Sequence, residues 1–423
     1  MTSDTAKLSE AIPAEAGVFD RLPGHWQRAL IRMAWAGWVI FAIVIAARAA
    51  VHPDKNSVSG VYSAACQRWW GGEEIYNDYH NGFIYLPHAA LVYTPFYLLP
   101  QRAGESLYRV AIIAMFAWSV WRITRLAATH PMNEYFPIVT LISIGVGAGS
   151  ALNGQYNLPL AATLIFATCA LVEKRWWWAC FWLTCSILLK PIAIASVLLA
   201  LVLYRPLWWR MPLVGLLVLG IPFLCSIRDP GYAAGEYKTF WDTVIRATLP
   251  LERRFAEFST VLYWFGLDLG NGARQAVRAV AAVVTLGLCF VATRRSDALR
   301  AGLLIWAFGV TYLMIFNPRT EGATYAIMGP TIGLFGALEF DRLSNPAWRR
   351  AVGMFFLAMG ILMIFVHEIL PRSGAYYEMA QGSKDLLVRP IICMVFYSWL
   401  VWLSAFDRTA RKARISPSAP AFP

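Results

Sequence analysis

Apolar runs of helical length, separated by short polar connections, recur along almost the whole chain, at 30–51, 105–124, 135–151, 158–172, 176–189, 191–204, 211–227, 273–293, 299–316, 322–338, 349–366 and 386–405. Crossing the ~30 Å hydrocarbon core of a bilayer takes about 20 such residues in a helix. The pattern therefore predicts an all-α polytopic membrane protein with about 12 transmembrane helices. Two of the runs are short, since 14 residues at about 1.5 Å each reach only about 21 Å. They meet at Lys190-Pro191, where proline removes a backbone donor and a lysine at membrane depth is costly unless it faces a polar cavity. We read a hairpin of two short helices with Lys190 in a cavity; one long tilted helix over 176–204 would invert everything downstream.

The stretch after the first run, His52 to Pro100, breaks this pattern. Val58 to Trp70 reads as an amphipathic helix lying in the interface plane, with Val61, Tyr62, Ala65, Trp69 and Trp70 near helical spacing. Gly71-Gly72 ends it. The following FIYLPHAALVYTPFYLLP carries Pro87, Pro95 and Pro100, which predicts a bent or re-entrant segment, tolerated only against protein or a wet cavity. With the N-terminus inside, 52–104, 228–272 and 367–385 fall outside. The short connections on the other side then carry Arg122/Arg125, Lys174/Arg175, Arg205/Arg210, Arg294/Arg295/Arg300 and Arg342/Arg349/Arg350. The expected organisation is a cytoplasmic segment 1–29, a membrane domain 30–406 whose first extracytoplasmic loop is 52–104, and a basic tail 407–423.

Composition agrees. At 58% hydrophobic and 15% charged residues the chain is excluded from the ordinary soluble class. The polar first 28 residues lack a signal-peptide pattern, so the first span is expected to remain as an anchor. A net charge of +12 raises nucleic acid as a partner, but no basic stripe interleaved with aromatics supports it. The charge is better explained by orientation in the membrane. The seven cysteines lie mostly in apolar runs without CxxC spacing, and read as buried small hydrophobes.

Under this topology the unusual polar motifs converge on one side: the first loop, Asn153-Gly-Gln-Tyr-Asn157, Lys190-Pro191, Asn317-Pro-Arg-Thr-Glu321 and His367-Glu368. Asn153, Gln155 and Asn157 fit a helix-capping turn as well as a sugar site, since amides both donate to and accept from hydroxyls. Lys190 is either a snorkelling end-of-helix residue or a phosphate ligand. Arg319 and Glu321 fit a structural pair, although the arginine fork also suits phosphate. His367-Glu368 reads as structural. The acids Asp54, Glu73, Glu74 and Asp78 fit a solvated loop face.

VYSAACQRWWGGEEIY, FIYLP with a later LLP, GQYN after a span, and a lysine-proline after a short apolar run together resemble glycosyltransferase family 87. The family comprises polytopic enzymes of GT-C architecture, including polyprenol-phosphate-mannose-dependent mannosyltransferases. The resemblance implies a GT-C-like bundle in the inner (plasma) membrane. It also implies extracytoplasmic transfer of a sugar, mannose or another hexose, from a polyprenyl-phosphate donor to a lipid-linked or cell-envelope acceptor. Family members commonly carry an aspartate near the VY matching Val61-Tyr62 as the base, whereas Ser57, Val58, Ser63 and Ala64 stand here. Either Asp54 takes over, or Glu321 serves, or the protein is no typical catalyst.

The chemistry needs a base for the acceptor hydroxyl and cations for the departing lipid phosphate. Asp54 is the leading candidate base, with another acid such as Glu321 as the alternative, and Lys190 and Arg319 are the candidate phosphate ligands. Asn153, Gln155, Asn157 and Tyr62 are the candidate sugar contacts. No acidic motif has metal-ligand spacing, which points to a metal-independent reaction without a cofactor. A transporter, or a flippase or ligase of lipid-linked glycans, is the competing reading. The chain has neither a repeat nor paired acids in mid-span to support a transporter.

Overall fold

The structure, a computed structural model, describes residues 22–53, 55, 57–76, 82–129, 132–226, 229–247, 255–366 and 385–406. Asp54, Asp78 and His367-Glu368 lie outside them. The helices are α1 (Gly24–Val51), α2 (Ser59–Gly71), α3 (Pro87–Tyr97), α4 (Gln101–Ala127), α5 (Phe136–Asn153), α6 (Asn157–Val172), α7 (Trp176–Leu189), α8 (Ile194–Leu203), α9 (Arg210–Leu219), α10 (Ile221–Cys225), α11 (Pro230–Ala247), α12 (Phe258–Trp264), α13 (Asn271–Arg295), α14 (Ala298–Phe316), α15 (Met328–Arg342), α16 (Pro346–Ile364) and α17 (Asp385–Phe406). No strand occurs among the described residues. Among the described residues, eight helical segments are long and apolar enough to cross a membrane, and α6, α7 and the Pro191–Leu203 segment are shorter apolar helices.

Lys190 is where the chain reverses. A 3₁₀ turn over Pro191–Ala193 links α7 to α8, and α8 returns to the end from which α7 starts. There Tyr204 lies 6.1 Å from Trp176, Trp177 meets Trp209 edge-on at 5.2 Å, and the Arg210 guanidinium covers Trp209 at 4.2 Å. The two short helices thus form the hairpin read from their length and the proline, with aromatic and basic residues at its base.

Burial sorts the spans. α14 is the central helix, with 78% of its apolar window buried, whereas α1 has only 17% buried. The buried stripe of α1, Ala34, Trp38, Ile45 and Ala49, packs on α4 and α5, and the Trp38 indole N–H donates to Thr140 Oγ1 at 3.1 Å. Its other face, including Met33, Ile40, Ile43 and Val44, is exposed, as expected of a helix whose outer side meets lipid.

α2 and α3 form an outer layer over the ends of these spans. Gly72, at φ +72°, terminates α2 in the left-handed conformation that glycine adopts without a Cβ penalty. The Pro-bent segment condenses into α3, which packs on α2 and α4 and on α10 and α11. Its His88 Nε2 lies 2.9 Å from the Val218 carbonyl. α11 lies across this layer on an amphipathic face. Tyr232 OH donates to the Glu73 carbonyl at 2.8 Å, and Phe240 meets Tyr76 at 6.1 Å.

Glu236 sits in the middle of that face, 4% exposed, accepting from the Ile75 N–H at 3.3 Å. Burial pushes its carboxyl up to about 7; the Ile75 N–H opposes the rise and the Glu74 charge adds to it. The unfolded value is about 4.3, so the protonated acid favours the folded state. That contribution is complete below the unfolded pKa and is lost as pH rises through the folded one. Thermal unfolding of the wild type is therefore expected to come earlier as pH rises from about 5 to about 8, with a flatter profile for Glu236→Gln. Parallel profiles contradict this.

Candidate active site

The α5–α6 turn, the tip of the α7–α8 hairpin and the segment after α14 meet at one end of the bundle, where their polar side chains join in a ring. Lys190 Nζ donates to Asn157 Oδ1 at 2.7 Å and to Thr324 Oγ1 at 3.4 Å. Asn157 Nδ2 donates to Gln155 Oε1 at 2.6 Å, and Gln155 Nε2 donates to Glu321 Oε2 at 3.4 Å. Glu321 and Thr324 then close the ring through their own backbone, Thr324 N–H to Glu321 carbonyl at 2.9 Å. Every amide passes its hydrogen bond in the same sense, so a relay of two amides joins an ammonium to a carboxylate. In surroundings of low dielectric such a chain polarises cooperatively.

Local sequence explains each position. Gly154, at φ +63°, ends α5 in the left-handed region and carries the chain into α6. A Cβ there would stand 3.2 Å from the Arg109 guanidinium. The turn that a capping glycine makes is thus also what aims Gln155 and Asn157 at Lys190. Asn157 is fully buried and Gln155 is 8% exposed, while Glu321 is exposed at the end of the relay. The carboxylate end of the relay is thus the end that reaches the surface.

The other expected site residues are placed as follows. Arg319 is half-buried, two residues before Glu321, with its guanidinium 6.0 Å from the Phe255 ring centre. Asn153 is half-buried, and its carbonyl accepts the Val58 N–H at 2.9 Å, which ties the start of α2 to the end of α5. Tyr62 is fully buried among tyrosines, 4.2 Å from the Tyr156 ring and 5.5 Å from Tyr85. Its hydroxyl lies 3.5 Å from that of Tyr85 and accepts from the Tyr156 N–H at 3.4 Å. Burial pushes the Tyr85 phenol up to about 12; the bond from Tyr62 eases this and the Glu321 charge adds to it. Tyr62 therefore forms the wall behind the site rather than its open surface.

Two supports escaped the sequence reading. Arg389, 8% exposed on α17, donates to the Gly322 carbonyl at 2.6 Å and to the Met363 carbonyl at 3.2 and 3.3 Å, clamping the segment that carries Glu321. Arg109 and Glu105, one turn apart on α4, form a buried ion pair. Glu105 also accepts from Ser59 Oγ at 2.5 Å and from Tyr93 OH at 2.8 Å, and Arg109 donates to Ser57 Oγ at 3.1 Å and to the Leu152 carbonyl at 3.3 Å. This cluster joins α2, α3, α4 and α5 beside the ring. An acid and a base four residues apart in an otherwise apolar run were the only signal.

Two crystal structures of ArnT from Cupriavidus metallidurans, one bound to undecaprenyl phosphate and one in the apo state, are similar at 16% and 15% identity and a TM-score of 0.46 each. The matches cover 94% and 93% of this chain and 80% and 79% of theirs. No curated protein sequence matches the chain. The profile of glycosyltransferase family 87 matches residues 83–318, more than half of the chain, taking in Gln155, Asn157 and Lys190 and ending one residue before Arg319. On that match, the chain belongs to glycosyltransferase family 87.

Proposed function

We propose that the chain transfers a sugar, mannose or another hexose, from a polyprenyl-phosphate donor to a lipid-linked or cell-envelope acceptor, with the ring at its centre. The observation that carries the reading is the exposed Glu321 carboxylate joined through Gln155 and Asn157 to the Lys190 ammonium. Glu321 is the base: it takes the proton of the acceptor hydroxyl as that oxygen bonds to the anomeric carbon. The bond from that carbon to the phosphate oxygen breaks, and the electron pair leaves with the lipid phosphate. Lys190 and Arg319 hold the leaving phosphate, Arg319 by its fork and Lys190 as a point charge. Asn153 and Gln155 orient the sugar, and the fully buried Asn157 acts through its bonds to Gln155 and Lys190, which it holds in place. An ArnT structure holds undecaprenyl phosphate, a lipid phosphate of the kind proposed here.

A hydrogen bond to a charged group contributes about 1.5–3 kcal/mol. Lys190→Met is therefore expected to raise the donor KM by roughly 10- to 100-fold in steady-state assays. An unchanged donor KM would remove Lys190 from the phosphate site.

The ring faces the extracytoplasmic side in this reading, because the short basic connections lie at the other end. In a Cys225→Ser background, which removes the exposed native thiol, an impermeant maleimide added to intact cells should label Glu73→Cys and spare Ser344→Cys. The reverse pattern would put the site in the cytoplasm.

A further inference from the structure

A cavity of about 530 Å³ opens between the outer face of α2, the C-terminal half of α3 and the start of α4. α2 turns Tyr62 and Trp69 inward and presents Ser63 and Gln67 to this cleft. α3 contributes Tyr93, Phe96 and Tyr97, and the floor is the Glu105 carboxylate, 5% exposed. Ser57 lines the same wall, and its neighbour Val58 donates its N–H to the Asn153 carbonyl at 2.9 Å. One backbone bridge thus separates the cleft from the turn that carries Gln155.

The lining selects a chemistry. Glu105 is its one ionised group among the described residues, and the Arg109 guanidinium already neutralises it. Among the described residues no cation lines the cleft, so a phosphate entering it would lose water without gaining a counter-charge from them. Among the described residues, Ser63 and Gln67 meet no hydrogen-bonding partner in the protein, and both can donate and accept. Aromatic walls with a few convergent polar groups bind compact, partly apolar, polyhydroxylated molecules. At the rim Leu98 is 74% exposed and Leu99 38%, a surface for an apolar tail.

We propose that this cleft is the acceptor subsite and takes the uncharged, hydroxyl-rich headgroup of a glycolipid-like amphiphile. This rests on the glycosyl-transfer reading of the ring. The headgroup sits on α2 and α3 and reaches over the Val58–Asn153 bridge toward Glu321, while the donor phosphate is held on the far side by Lys190 and Arg319.

The test is saturation-transfer NMR on the full chain in nanodiscs, with n-butyl β-glucoside as probe and n-butyl phosphate as comparison. Ring-proton transfer from the glucoside is expected with the wild type and with Glu321→Gln. It should fall at least fivefold in Ser63→Trp, which fills the cleft, and in Gln67→Ala, which changes one exposed side chain. In turnover, Gln67→Ala should raise the acceptor KM and leave the donor KM unchanged. Undiminished glucoside signal in both variants, or a butyl phosphate signal that falls with it in Ser63→Trp and Gln67→Ala, overturns the assignment. If Glu321→Gln still transfers sugar while the cleft variants lose glucoside binding, the proposed base fails and the cleft stands.

Discussion

Glu321→Gln is expected to lower sugar transfer by roughly 10²- to 10⁴-fold, the range that a general base contributes, while leaving donor binding near the wild-type value. Glutamine keeps the size of the side chain and can still accept from Gln155 Nε2, so the relay to Lys190 survives. What disappears is the proton acceptor. Asp54→Ala provides the contrast: with Glu321 as base it should retain transfer within a few-fold, whereas a silent Asp54→Ala beside an active Glu321→Gln would move the base to the first loop. Michaelis–Menten analysis separates these results from damage to binding, because loss of the base lowers kcat and leaves the donor KM in place.

Arg109→Met is expected to have the largest effect on stability. The guanidinium is 2% exposed and its partner carboxylate 6%, and removing it strands Glu105 among Ser57, Ser59 and Tyr93. Breaking a buried pair on one side costs about 3–5 kcal/mol, because an uncompensated charge remains. Neutralising both partners costs much less. The double variant Glu105→Gln/Arg109→Met should therefore recover most of the loss in thermal midpoint. If the single variant melts with the wild type, the cluster does not hold the first loop onto the bundle.

Much of this was legible in sequence, for local reasons. The lengths of 176–189 and 191–204 and the proline between them identify the hairpin, because span length and a missing N–H act locally. Gly71-Gly72 marks the end of α2 by the same kind of rule. Asn153–Asn157 could be read as a turn or as a site, and the structure shows a turn whose geometry aims Gln155 and Asn157 at Lys190. Thr324 and Arg389 were not legible, since they meet Lys190 and Gly322 only through contacts far apart in the chain. Tyr62 illustrates the converse limit. Helical spacing puts it on the apolar face of α2, but only the arrival of Tyr85 and Tyr156 decides that its hydroxyl is enclosed.

Glycosyl transfer from a polyprenyl-phosphate sugar is the reaction proposed for the ring. The most direct measurement is incubation of the purified protein in liposomes with radiolabelled polyprenyl-phosphate mannose and a lipid extract, beside a nucleotide-linked mannose at equal concentration. Label is expected to move from the polyprenyl phosphate to an extract lipid, none from the nucleotide, and transfer is expected to be lost in Glu321→Gln. Transfer from the nucleotide sugar, or a Glu321→Gln variant as active as the wild type, would contradict the proposed reaction.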